Sequence, residues 1–167
     1  MHSTAAIGGQ LKLDSSVARQ SQELGLACQF AAQESLNSQR SFGEVMGTLV
    51  SAHRLGQLKV YLNGYEECVG YVAWALLTPD VEEEFISGNL RPLRQWEFND
   101  GLSPWILEMG VRDGSLPYIL EDLRDVVFSG YEQLTYFRTK GERTVCKRVG
   151  RLDRTTFMLA GRKGKDL

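Results

Sequence analysis

Residues 69–77, Val69-Gly70-Tyr71-Val72-Ala73-Trp74-Ala75-Leu76-Leu77, carry no charge and only one breaker, Gly70. A strand wetted on one face alternates apolar and polar residues. An unbroken apolar run of this length instead fits a strand covered on both faces. Thr78-Pro79 then changes the rule. Thr can accept a backbone N–H as a helix N-cap, and Pro at the first helical position gives up a donor that would be orphaned anyway. Asp80, Glu82, Glu83 and Glu84 put negative charge at the positive end of the helix that follows, over 79–89. A central strand running into an acidic helix is therefore fixed early, and the other elements must cover its two faces.

The preceding segment Leu58–Leu62 alternates and reads as a strand, and Asn63-Gly64 is the dipeptide favoured in two-residue hairpins. Antiparallel pairing of 57–63 with 67–77 follows. Upstream, Leu24, Cys28, Ala31 and Ala32 recur at helical spacing from about Ser21. Phe42, Val45, Met46, Leu49 and Val50 mark one face of a second helix, with Gly56 as its C-terminal stop. The polar break between these helices, residues 34–41, offers Ser35, Asn37 and Ser38 as caps. Ser103–Val111 is a second buried-strand candidate, with Pro104 at its start. A helix over 116–129 follows, then three strand-like pieces at 132–138, 143–149 and 154–160 that suggest a meander. The expected fold class is α/β of the α+β kind: one domain over 21–167 with a mostly antiparallel central sheet and helices packed on it, preceded by a flexible N-terminal arm over 1–20.

A chain of 167 residues with net charge -2 has no bulk electrostatic drive toward nucleic acid, so no nucleic-acid partner is expected. The segment from Lys140 onward is locally basic and could meet an acidic partner or form a solvated edge. Cys28, Cys68 and Cys146 are odd in number and far apart, which disfavours metal and redox motifs and fits free thiols in a reducing compartment. No apolar run of about 18 residues predicts a membrane span, and residues 1–20 lack the layout of a signal peptide. A cytoplasmic protein is expected. The absence of G-x-S-x-G, P-loop and G-x-G-x-x-G patterns argues against a serine hydrolase, a nucleotidase and a dinucleotide-dependent dehydrogenase.

Glu108 is the leading candidate for chemistry. It is the one charge in the Ser103–Val111 run. Burying a carboxylate is costly unless it is paired, and burial raises a carboxyl's pKa toward the range of a useful general base. The competing readings are an edge residue facing water, or a partner of an arginine such as Arg112. Asn37 and Ser38 are either helix caps or site residues. His53 sits near a helix C-terminus, where an imidazolium is favoured, and is the alternative acid–base group. Trp74, Trp96 and Trp105 are core anchors or the walls of an acyl channel.

Three segments together resemble the toxin-activating lysine acyltransferases, the HlyC-like proteins. They are Gly56-Gln57-Leu58-Lys59-Val60-Tyr61-Leu62, the Val69–Leu77 strand with its acidic helix, and Asp100-Gly101-Leu102-Ser103-Pro104-Trp105-Ile106-Leu107-Glu108-Met109. The resemblance covers roughly 30–150 and is most specific over Tyr71–Leu77. It implies a GNAT-like fold, and transfer of a fatty acyl group from acyl carrier protein to the ε-amine of a lysine in a protoxin-like or peptide substrate. It also implies a homodimer, no bound cofactor, and acyl carrier protein in preference to acyl-coenzyme A as donor. The family's catalytic Asp falls on Glu108. Counting from Trp74, the family's catalytic His falls on Ser38 without a gap, or on Asn37 with a one-residue gap. The substrate-binding positions implied are Trp105, Ile106, Leu107, Met109 and Trp74, with Arg143 and Arg148 toward the carrier's acidic surface. The alternative is a catalytically silent module of the same fold that binds the acyl carrier or another partner.

Overall fold

A computed structural model describes residues 15–35, 41–112, 114–140 and 143–150. Helix α1 spans Ser15–Ser35 and begins before Ser21. Arg19 and Gln20 are exposed, so this first part has no apolar periodicity to announce it; Arg19 instead pairs with Glu23 one turn on, at 3.5 Å. Helix α2, Phe42–Arg54, starts at Ser41 and not at an earlier polar residue. Ser41 and Glu44 close a capping box: each side chain accepts the other's backbone N–H, at 3.3 Å. Gly56, with φ of 68°, ends the helix as expected.

Strand β1 is Leu58–Leu62 and β2 is Cys68–Leu77, paired antiparallel from Leu58↔Ala73 to Leu62↔Cys68. The turn between them is longer than a two-residue hairpin. Asn63 Oδ1 accepts the N–H groups of Tyr65 and Glu67, and this holds a wider loop in which Glu66 takes the positive φ of 61°. Helix α3, Pro79–Ile86, has Pro79 and acidic residues in its first turn. The Thr78 side chain makes no cap hydrogen bond. Strand β3 is Ser103–Val111, α4 is Leu116–Asp122 with a π-helical continuation over Leu123–Val127, and β4 and β5 are Gln133–Lys140 and Arg143–Gly150. The third strand expected at 154–160 lies outside the described residues.

The five strands lie in chain order, β1-β2-β3-β4-β5. All neighbours are antiparallel except β3 and β4, which are parallel because α4 crosses over between them. Strand β2 is covered on both faces, as its sequence requires. Tyr71, Ala73, Ala75 and Leu77 join the cluster built on α1, α2 and α3, and Val72 joins Ile106, Ile119, Leu123 and Phe128 on the α4 side. The result is the expected α+β domain, a mostly antiparallel open sheet with helices on it, of GNAT-like architecture.

Close approach of α1 to the sheet depends on Gly110. A Cβ there would lie 2.5 Å from Tyr71 Cε1 and 2.9 Å from Phe30 Cε1. Those two rings already pack edge-on at 5.8 Å and have little room to yield. Gly110→Ala is expected to destabilise the fold by about 2 kcal/mol through overpacking, read as a lower denaturant midpoint with an unchanged slope.

Candidate active site

The site is set by how little β3 and β4 pair. Only Trp105↔Thr135 and Ile106↔Tyr136 are in register. Beyond them β3 stays on β2 as far as Val111, and β4 stays on β5 as far as Lys140. The two strands part, and a cleft of about 880 Å³ opens where they do. It reaches both faces of the sheet. Leu107 and Phe137 on its wall belong to the α1/α2 side, while Ile106, Leu120 and Tyr136 belong to the α4 side.

A bulge aims Glu108 into this cleft. Ala73 pairs with Glu108 but Trp74 pairs with Ile106, so Leu107 is the extra residue. Trp105 faces α1 and α2; regular alternation would turn Glu108 to the α4 side. With Leu107 bulged, Glu108 shares the face of its partner Ala73, which packs under α1 and α2. Glu108 is half-buried and lines the cleft beside Ile106, Leu107 and Met109. From α2 come Glu44 and Thr48, and from the far strand come Tyr136, Phe137 and Arg138.

A third wall is the segment Leu90–Leu93, between α3 and the 3₁₀ turn Gln95–Phe98. Arg91 pins it. Its guanidinium meets Glu97 through two bonds of 2.8 Å and Glu84 through one of 2.9 Å. Glu97 also accepts the Arg94 N–H at 2.7 Å. The Arg91 guanidinium, followed by that N–H, holds the Glu97 carboxyl down at about 2. A carboxyl depressed on folding stabilises the fold above its unfolded pKa and loses that contribution as pH falls through the folded value. Stability is therefore expected to decline between about pH 4.5 and pH 2, and Glu97→Gln to flatten that part of an acid-unfolding profile.

Of the residues expected from the sequence, Glu108, Ile106, Leu107 and Met109 come together in the cleft. Trp105 does not line it. It is fully buried behind the wall, against Phe85 and Phe137, and its indole N–H donates to Glu82 Oε1 at 3.0 Å. Trp74 lies on the α4 side, edge-on to Phe128 at 5.7 Å. Arg148 is occupied by Glu82 and Thr135 and is away from the cleft lining. Arg143 opens β5, but its side chain lies outside the described residues. Asn37 and Ser38 also lie outside them. The cleft touches α2 at Glu44 and Thr48; His53 lies five residues past Thr48, about 7.5 Å further along the helix axis, and is not among the residues that line the cleft. Trp96 is exposed and stacks under Arg94. Nothing local in the sequence marks Arg91, Leu93 or Arg138 as cleft residues; they come to line the same cleft as Glu108 only through the tertiary fold.

Residues 17–152 match the family model for the RTX toxin acyltransferase family. Among curated proteins no match was found. Among the described residues, no helix is long and apolar enough to cross a membrane.

Proposed function

The chain belongs to the RTX toxin acyltransferase family, and we propose that it moves a fatty acyl group from acyl carrier protein to the ε-amine of a lysine in a protoxin-like protein or peptide, with Glu108 as the base. The observation that carries this reading is the half-buried carboxylate at the point where β3 and β4 part, facing a cleft with largely apolar walls. An acyl chain needs the walls, and a lysine ammonium needs the base.

The steps balance without an enzyme nucleophile. Glu108 takes one proton from the lysine ammonium, directly or through a water. The freed amine attacks the thioester carbonyl. The tetrahedral intermediate collapses, the C–S bond breaks, and the carrier leaves as a thiolate. The nitrogen's second proton passes to that sulfur, giving an amide and a free carrier thiol, and Glu108 returns its proton to solvent. Positioning of donor and acceptor supplies much of the rate. Among the described residues Arg138 makes no ion pair, and it sits on the cleft wall where a negatively charged carrier would approach. Acyl carrier protein as donor places the reaction in the cytoplasm, and a homodimer is part of the same proposal.

The test is direct. Carrier protein charged with labelled fatty acid is mixed with the purified chain and candidate lysine substrates, and label is sought on lysine by mass spectrometry. Transfer to lysine is the expected result. Tight carrier binding with no transfer to any lysine would identify a silent binding module instead.

A further inference from the structure

We infer that the Pro92–Leu93 segment is a partition that sets how long an acyl chain the cleft accepts; this rests on the acyl-transfer reading of the site. Beside the segment lies a second, open pocket of about 410 Å³, between it and the partly exposed face of α2 that carries Gly43, Gly47 and Ser51. Glu44, Thr48, Pro92, Leu93 and Phe98 line both cavities, so they are the wall between them. Pro92 is locked in φ, and the segment is held by the Arg91 links to Glu84 and Glu97 on either side. The Leu93 side chain is the removable part of the wall.

The space behind the wall is made by α2. Gly43 and Gly47 have ordinary negative φ, and a Cβ on either would meet nothing within 4 Å among the described residues. Neither backbone conformation nor a close neighbour requires glycine there, and interior glycines weaken a helix. What they leave is room beside the cleft that holds Glu108, across the shared wall. A chain ending at Leu93 fills the first cavity, and a longer one must displace the partition into the second.

The test is the acyl-length profile of transfer, measured with carrier protein charged with saturated chains of graded length. Leu93→Ala joins the cavities and is expected to move the preferred chain longer. The long-to-short ratio of kcat/KM should rise more than about tenfold for two added methylenes, each worth roughly fourfold when buried. Leu93→Val keeps the packing and should shift the profile less, in the same direction. Gly47→Leu fills the second cavity from the helix side; it should leave transfer of chains that end at Leu93 unchanged, lower that of longer ones, and cancel the shift when combined with Leu93→Ala. A profile unmoved by Leu93→Ala and Leu93→Val, or a shift that Gly47→Leu fails to cancel, overturns the partition. Affinities of fluorescent fatty acids of graded length, taken without carrier or acceptor, read the same wall independently of chemistry. Shifted binding without transfer keeps the partition and removes the proposed reaction, whereas transfer with an unmoved profile does the reverse.

Discussion

Glu108→Gln is expected to lower acyl transfer to lysine about a hundredfold or more, with the fold intact. The substitution keeps size and shape and removes the negative charge together with the capacity to take a proton. The acceptor is a lysine ammonium at neutral pH, and it cannot attack a thioester until it loses one. A hundredfold loss corresponds to about 2.7 kcal/mol of transition-state free energy, which falls within what one positioned base supplies. The pH dependence separates this role from a structural one. A base must be ionised to work, so the parent's kcat/KM should carry an acid limb that the Gln variant lacks, with the variant still folded at the assay temperature. Glu108→Asp probes reach. The bulge at Leu107 places the backbone of residue 108 opposite Ala73, and an Asp there is one methylene short, so an intermediate rate is expected. Equal rates for parent and Gln variant would remove Glu108 from the mechanism.

How much of this was legible depends on where each signal lives. The β2 strand and the helix after it were legible because burial on two faces leaves a continuous apolar run, and Pro79 with the acidic first turn marks the helix start. Glu108 was legible as a carboxylate in an apolar strand. Its direction was not. Alternation along β3 points it to the α4 side, and the extra residue that turns it round exists only in the pairing with β2. The hairpin was legible, but its length was not, because the Asn63 side chain competes for two backbone donors that a tighter turn would use otherwise. Arg91 and Leu93 sit in a stretch with no periodicity, and their importance comes from Glu84, Glu97 and the glycine face of α2, brought near by the fold. Trp105 is the instructive case among the large residues, since an indole in a strand beside the site fits a channel wall and a core anchor equally well from sequence.

Its surroundings decide between those roles, and Trp105→Ala is the experiment with the largest expected effect on stability. The side chain is fully buried, packs edge-on to Phe85 at 5.7 Å and tilted on Phe137 at 5.3 Å, and donates to Glu82. Truncation removes those contacts and leaves a cavity, which for a buried Trp costs about 3–5 kcal/mol. Glu82 also loses one donor, though Ser103 Oγ at 2.8 Å and Arg148 still hold it. Against a total of about 5–15 kcal/mol for an ordinary domain, the variant should melt about 10 °C lower or more. Trp105→Phe keeps most of the volume and should cost roughly half as much. A channel wall behaves in the opposite way: Trp105→Ala would leave stability within about 1 kcal/mol of the parent and change which acyl chains are transferred. The buried position predicts the first outcome because Phe85 and Phe137, which do line the cleft, stand between the indole and any bound chain. Any loss of transfer in Trp105→Ala should therefore track the fraction of protein folded at the assay temperature, and lowering that temperature should restore the rate.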